Sequence, residues 1–167
     1  KWNLRGAVIS AVDLIKGIGL CAGMRSIDVE GATGNVHTNY KGKADAAINA
    51  FREGYELVYV HVEGPDECGH RAELENKVTS IERIDAEILT PVLQYLRQSG
   101  EEFKVMLLPD HPTPIHLRTH TIDPVPFFIY SSDAVLDGVA TFNEETAAAK
   151  HNYLANGYRL MEILTGN

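Results

Sequence analysis

The sequence has few cysteines, few basic residues and no long apolar run. Its 167 residues contain only two cysteines, Cys21 and Cys68, whose spacing fits neither a disulfide-rich secreted scaffold nor a paired-cysteine metal clip. The 15 basic residues against 23 acidic ones leave a formal charge of −8 and no basic cluster, which argues against a nucleic-acid partner. No stretch approaches the roughly 18 consecutive apolar residues of a membrane span. These absences predict a reduced, cytoplasmic protein that binds neither nucleic acid nor membrane.

The sequence also lacks an initiating methionine and several common catalytic motifs. It begins KWNLRGAVIS, the first methionine is Met24, and an apolar run starts within a few residues. We interpret this beginning as a cut in a longer chain, and we expect residues 1–167 to form a single domain. Neither the GxSxG elbow of hydrolases nor the P-loop of nucleotide-binding proteins occurs.

Strand-like and helix-like segments alternate along the chain. Apolar runs predict buried strands at Gly6 to Val12, Leu57 to Val62, Lys104 to Leu108 and Val125 to Tyr130. Helical spacing predicts helices around 14–20, from Tyr40 to Phe51, from Arg71 to Arg97 with a kink at Pro91, and from about Glu144 to Leu164. The alternation predicts an α/β fold with a mostly parallel sheet flanked by helices.

Polar side chains concentrate in two segments, GPDECGH (64–70) and PDHPTPIHLRTH (109–120), each of which follows a predicted strand. In open α/β sheets, ligands bind outside the carboxyl ends of the strands, so both segments lie where a site is expected. Carboxylate oxygens and imidazole nitrogens, without a thiolate, suit divalent ions such as Zn2+ and Mn2+. The combination predicts a metal site.

The spacing of these residues suggests how two ions are held. Asp66 and His70 are four residues apart, so they share one face of a helix if the chain turns helical there. Asp110 and His111 are adjacent and cannot both point the same way from an extended backbone, but they can reach two neighbouring ions. His120 is a candidate ligand for either ion. The alternative for Asp66 is a capping role in the helix that follows Pro65.

The remaining histidines and Cys68 have simpler interpretations. His61 lies within a predicted strand, where packing or a hydrogen bond is favoured over metal binding. His37 and His151 are predicted to be surface residues, and His116 fits either interpretation. Cys68 lies inside the first polar segment but is expected to pack rather than to bind metal.

At these residues the sequence resembles the cofactor-independent (2,3-bisphosphoglycerate-independent) phosphoglycerate mutases of the archaeal type, which belong to the alkaline phosphatase superfamily. RGAVISAVDLIKGIGLCAGM resembles the strand and helix that re-enter the family's catalytic domain, and GPDECGH, DHPTP and HTIDPVPF resemble its metal-binding segments. The resemblance covers nearly the whole chain. It implies an alkaline phosphatase-like fold in which residues 1–167 are the C-terminal part of an incomplete catalytic domain.

The resemblance also implies a role for each candidate ligand. Asp66, His70 and His120 would bind one divalent ion, and Asp110 and His111 would bind the other, together with an Asp and a nucleophilic Ser from the family's N-terminal segment. The cofactors would be two ions, Mn2+ or Zn2+, with Mg2+ as a third candidate. No serine of this chain has the nucleophile's context, since all are better explained as strand, turn or helix residues: Ser10, Ser26, Ser80, Ser99, Ser131 and Ser132.

The implied activity is a glycolytic isomerisation, the interconversion of 3- and 2-phosphoglycerate through a phosphoserine intermediate. The substrate would be a small phosphorylated three-carbon acid, and the partner would be the remainder of the same chain, without which this piece is expected to be inactive. Arg118 is either a phosphate contact or an ordinary exposed loop residue. Two alternatives stay open: a related phosphatase or phosphotransferase, similar to phosphopentomutases or homoserine kinases, and a non-catalytic α/β binding module.

Overall fold

The computed structural model describes residues 2–134 and 138–166. These residues divide into two compact units, which are described separately. Unit 1 comprises Lys1–Ser99 and Thr113–Thr119, and unit 2 comprises Gly100–Pro112 and His120–Asn167. Among the described residues, no helix combines the length and the apolar character needed to cross a bilayer.

Unit 1 is built on a parallel sheet of three short strands. β1 (Gly6–Ile9) lies between β2 (Arg25–Ile27) and β3 (Leu57–Val60). All of β1 is buried, as expected for a central parallel strand covered on both faces. β1 ends earlier than its apolar run predicts, because the Ser10 hydroxyl accepts a hydrogen bond from the Val12 amide and turns the chain. β2 is too short and too polar to have been predicted.

Two helices connect the parallel strands. α1 (Asp13–Cys21) follows β1, and α2 (Tyr40–Arg52) precedes β3, both close to their predicted positions. The Asn39 side chain caps α2 by accepting a hydrogen bond from the Gly42 amide, which satisfies one of the free donors at a helix start. The face of α2 that carries Tyr40 and several alanines is buried.

The polar GPDECGH segment is itself a helix, α3 (Gly64–His70). It is followed by a long helical rod that consists of α4 (Leu74–Arg83), a π-helical segment (Ile84–Leu89) and α5 (Thr90–Ser99). The rod starts at Leu74 instead of Arg71 because Ala72 takes a left-handed conformation, with φ of 57°.

Helical structure is continuous through Pro91, and the kink predicted there stays a prediction. A proline ring clashes with the carbonyl four residues earlier and has no N–H to donate to it. The wide π-helical turns immediately before Pro91 accommodate both effects, because they shift the hydrogen bonds to the next carbonyl.

A buried polar contact joins α2 and α4, and α3 packs against it. The Tyr40 hydroxyl lies 2.7 Å from the Ser80 hydroxyl, and both side chains are fully buried. Gly64 opens α3 against the same serine: a Cβ atom there would lie 2.6 Å from Ser80 Oγ. α3 therefore rests directly on α4, and only glycine fits at this contact.

Unit 2 contains an antiparallel pair, β4 (Lys104–Leu107) and β5 (Phe128–Ser131). The expectation of a mostly parallel sheet is thus confirmed for β1 to β3, whereas β4 and β5 run in opposite directions. The physical reason is that no crossover helix separates them, and antiparallel strands need none. β5 also begins later than predicted, since Pro126 cannot donate to a ladder.

The single C-terminal helix predicted from Glu144 to Leu164 is wrong. The structure has α6 (Glu144–Ala149), a 3-10 turn (Gly157–Arg159) and α7 (Leu160–Thr165). The interruption between them contains His151 with φ of 52°, which no right-handed helix accommodates. Asn and Gly in this stretch weaken the helix further.

Candidate metal centre

Asp66 and His70 of unit 1 lie side by side on α3. Pro65 occupies the first turn of this helix, where its missing N–H leaves no bond unmade. The two candidate ligands are one helical turn apart, and Asp66 Oδ2 lies 3.4 Å from His70 Nε2. Both side chains are partly exposed, at 26% and 36%. The predicted shared face is therefore present, on α3 itself and not on the longer helix that follows.

Neighbouring groups hold both of these side chains. His70 Nδ1 lies 3.0 Å from the main-chain oxygen of Arg118, and Asp66 Oδ1 accepts a hydrogen bond from the Thr113 hydroxyl. A carbonyl oxygen only accepts hydrogen bonds, so Nδ1 carries the ring proton in the neutral imidazole. The lone pair on Nε2 is then left beside Asp66, the arrangement typical of metal-binding histidines.

Asp66 does not cap the helix. The N-cap residue of α3 is Glu63, which makes no side-chain cap hydrogen bond, and Asp66 lies inside the first turn. The carboxylate instead faces Thr113 and His70. The alternative interpretation of Asp66 as a capping residue is wrong for this reason.

Unit 2 holds the second pair, Asp110 and His111, directly after β4. Asp110 Oδ2 lies 3.4 Å from His111 Nε2, and Asp110 Oδ1 accepts a hydrogen bond from the His111 amide. The two side chains thus converge, although divergence was expected from their adjacent positions. That expectation assumed an extended backbone, and the chain bends at this point.

His120 is placed against His111 within unit 2. The two imidazole rings stack with centroids 3.7 Å apart, and the Thr121 amide donates to the Pro112 oxygen, which closes the loop between them. The sequence predicts that His120 returns to one of two ions, and the contact seen in unit 2 is with the ring of His111, nine residues earlier. Asp110, His111 and His120 therefore form one polar group in unit 2.

The other residues singled out in the sequence take simpler positions. His61 follows β3 and its Nδ1 lies 3.1 Å from the Ser10 hydroxyl, so the hydrogen-bonded interpretation is favoured. Cys68 is fully buried, and burial raises the pKa of its thiol, which suits packing better than metal binding. The three remaining histidines are exposed: His37, His116 and His151.

Sequence reasoning missed Lys43, a buried cation near the carboxyl end of β3. Its side chain is 1% exposed, and Nζ donates to the His61 oxygen at 2.7 Å. Burial lowers the pKa of Lys43 from 10.5 to about 8, an effect that Glu63 partly offsets and Lys16 strengthens. A lysine on a helix is normally assigned to the exposed face, so no local pattern could have identified it.

The chemistry of the donors fits divalent metal ions in both units. Each unit pairs a carboxylate oxygen with an imidazole nitrogen at 3.4 Å, and no thiolate takes part. In unit 1 the hydrogen bond at Nδ1 leaves Nε2 of the neutral imidazole as the nitrogen that faces the carboxylate. These observations are what an Asp and His metal centre requires of its side chains.

Comparison with known proteins identifies the superfamily to which the chain belongs. Residues 1–158 match the family model described as the metalloenzyme superfamily, so the chain belongs to that superfamily. Its fold is the alkaline phosphatase-like metalloenzyme fold, with a parallel sheet and flanking helices.

The similar proteins narrow the class further. The chain is 48% identical to the 2,3-bisphosphoglycerate-independent phosphoglycerate mutase of Methanothrix thermoacetophila and 52% identical to that of Methanosarcina mazei. Each comparison covers 98% of this chain but only 41% of the relative, so the chain spans well under half the length of these mutases.

Two solved structures share the fold. A Pyrococcus horikoshii protein is 27% identical with a TM-score of 0.83, over 99% of this chain and 49% of that one. The cofactor-independent phosphoglycerate mutase of Thermoplasma acidophilum has a TM-score of 0.61 at 20% identity, over 99% of this chain and 36% of that one, and this likeness concerns the fold alone.

Proposed function

We propose that this chain is the C-terminal part of the catalytic domain of a cofactor-independent phosphoglycerate mutase. The observation that carries the proposal is the similarity of 98% of the chain to archaeal mutases at about half of all positions. The intact protein would interconvert 3- and 2-phosphoglycerate through a phosphoserine intermediate, in the cytoplasm and as a step of glycolysis. Its nucleophilic serine would lie in the part of the mutase that residues 1–167 do not include.

We assign Asp66, His70 and His120 to one divalent ion and Asp110 and His111 to the other. The 3.4 Å pairing of Asp66 with His70 and the hydrogen bond at His70 Nδ1 support the first assignment. The matching pair that follows β4 supports the second. His120 directly follows Thr119 in the chain, and Thr119 ends the segment that contacts α3 through Arg118.

The residues of this chain would bind and orient the ions. Two ions, Mn2+ or Zn2+ with Mg2+ as a third candidate, would lower the pKa of the nucleophile and neutralise charge on the transferring phosphoryl group. Asp66 and Asp110 offer carboxylate oxygens, and their negative charge offsets that of the cations. His70 offers Nε2, whose direction is set by the hydrogen bond at Nδ1.

Assay of the intact protein with 3-phosphoglycerate and Mn2+ tests the activity. We expect Asp66→Ala and His120→Ala to lower kcat/KM by at least about 100-fold, since even groups outside the ligand shell change activity by 10–100-fold. His37→Ala, at an exposed histidine, is the matched control and should stay near wild type. Turnover of another phosphate ester without mutase activity would replace the mutase with a related phosphatase or phosphotransferase.

The 167-residue chain by itself should show negligible turnover and weakened metal binding. The nucleophile and part of the second ligand set would be missing from it. Metal analysis after dialysis against Mn2+ or Zn2+ checks the site directly. An intact protein that binds neither ion, and whose activity is unchanged by Asp66→Ala or His120→Ala, would instead be a non-catalytic binding module.

A further inference from the structure

The segment Thr113–Thr119 belongs to unit 1, although the residues on both sides of it belong to unit 2. Within unit 1 it contacts α3 and α4 at three points. The Thr113 hydroxyl donates to Asp66, the Thr113 oxygen accepts from Lys77 Nζ at 2.8 Å, and the Arg118 oxygen accepts from His70 at 3.0 Å. Two of the three contacts are made to the candidate ligands of α3.

The segment is shaped so that its carbonyl and hydroxyl groups face α3. The Leu117 and Arg118 amides both donate to the Pro114 oxygen, at 3.0 and 2.9 Å, which closes a compact turn. Arg118 has φ of 56°, a conformation that non-glycine residues rarely adopt and that persists only where the surroundings impose it. The Arg118 side chain is exposed, so its main-chain oxygen is the group that contacts the site.

Close packing holds the segment at this distance from α3. A Cβ atom on Gly69 would lie 2.5 Å from the Thr113 oxygen and 2.8 Å from Thr113 Cγ2. Such distances are below any normal contact, so the glycine is required for the two backbones to approach. Thr113 itself is 5% exposed, which shields its hydroxyl from water.

We infer that Thr113 and the main-chain oxygen of Arg118 are positioning groups that orient Asp66 and His70 before a metal ion binds. Thr113 fixes the carboxylate by its hydroxyl, and the Arg118 oxygen holds the ring proton of His70 on Nδ1, so that Nε2 presents a lone pair. Lys77 anchors the segment that carries both groups. This inference rests on the proposed function, because it takes Asp66 and His70 as metal ligands.

The orientation is tested first on the metal-free chain without any substitution. Long-range 1H–15N NMR spectra of the imidazole rings report which nitrogen carries the proton. We expect His70 to be the tautomer with the proton on Nδ1, at a pH where the ring is neutral. A proton on Nε2 would overturn the inference.

Metal titration tests the role of Thr113. We expect Thr113→Val, which keeps the shape and removes the hydroxyl, to weaken binding of Mn2+ and Zn2+ by about tenfold or more. Thr113→Ser restores the hydroxyl and should recover most of the affinity. Thr79→Val makes the same change at an exposed position of α4 and is the matched control.

The outcomes separate the inference from the proposed function. Equal affinity of wild type and Thr113→Val, or failure of Thr113→Ser to recover affinity, would overturn the positioning role while the metal site stands. Absence of any metal binding by the intact wild-type protein would count against the metal site, and the His70 tautomer would then decide the orientation. Arg118→Gly keeps the carbonyl and relieves the backbone, so it should retain wild-type affinity; a tenfold loss would contradict a role for the main-chain oxygen.

Discussion

Replacement of Lys43 by methionine should change how the stability of the chain depends on pH. Lys43 is 1% exposed, and burial lowers its pKa from 10.5 to about 8. At pH 7 the ammonium is charged in both the folded and the unfolded chain, so the folded state bears the full unfavourable effect of burying a charge. Lys43→Met removes that charge and leaves a side chain of similar length.

The direction of the pH effect on stability follows from the pKa of Lys43, which is lower in the folded chain than in the unfolded chain. Between pH 8 and 10.5 the folded chain has lost the proton while the unfolded chain retains it, so unfolding takes up a proton. Rising pH therefore stabilises the folded wild type. The full difference is on the order of 3 kcal/mol, and about 1.4 kcal/mol of it falls between pH 7 and 9 by the same linkage relation.

Urea unfolding at a series of pH values measures this effect. The chain has a single tryptophan, Trp2, which belongs to unit 1 and reports the unfolding of that unit together with circular dichroism. We expect the free energy of unfolding of wild type, relative to Lys43→Met, to rise by about 1.4 kcal/mol from pH 7 to pH 9. The loss of the hydrogen bond to the His61 oxygen shifts the variant's curve by a nearly constant amount, since neutral lysine also donates.

A matched control removes a lysine from the exposed side of the same helix. Lys41 is 78% exposed and pairs with Asp45. For Lys41→Met we therefore expect the free energy of unfolding to change with pH in parallel with that of wild type. If the free energies of unfolding of wild type and Lys43→Met changed in parallel with pH, the reasoning would be refuted. That result would mean that the buried ammonium has the same affinity for its proton in the folded and unfolded chains.

Two further substitutions test the packing that places α3. Gly69→Ala puts a methyl group 2.5 Å from a carbonyl oxygen of the neighbouring segment, and we expect urea unfolding to show about 1–3 kcal/mol of destabilisation. Gly17→Ala, a helical position with no atom within 4 Å, should instead stabilise by about 0.5–1 kcal/mol, and equal effects would contradict the packing argument. Tyr40→Phe leaves the buried Ser80 hydroxyl without its 2.7 Å partner and should lower the free energy of unfolding by about 1–3 kcal/mol. Tyr153→Phe, at a 73% exposed tyrosine, should change it by less than about 0.5 kcal/mol, and a Tyr40→Phe value as small would show that the contact contributes little.

The pairing of Asp66 with His70 was predictable from the sequence because it depends only on residues that are close together in the chain. The four-residue spacing of Asp66 and His70 placed them on one helical face, and the structure has them 3.4 Å apart on α3. Their position after a strand end also follows from the apolar run that precedes them. The same reasoning failed where it assumed an extended backbone at Asp110, since a bend brings that side chain onto His111.

Differences from the predicted fold arose where local backbone conformations depart from a regular helix. Helical spacing near the C-terminus predicted one helix, but a left-handed residue at His151 interrupts it. Directly before Pro91 the helix takes π-helical turns, which the spacing of apolar residues did not predict. Both outcomes depend on backbone conformations that periodicity does not report.

The sequence by itself determined the types of the candidate ligands, their order along the chain and the alternation of strands and helices, because donor chemistry and apolar periodicity are properties of short segments. The tertiary structure alone decided that Thr113 and the Arg118 oxygen contact Asp66 and His70, that Lys43 is buried, and that β4 and β5 are antiparallel. Those features arise where segments far apart in sequence pack together. Only the close approach that Gly69 permits between α3 and the loop segment could place a hydroxyl and a carbonyl on the two candidate ligands.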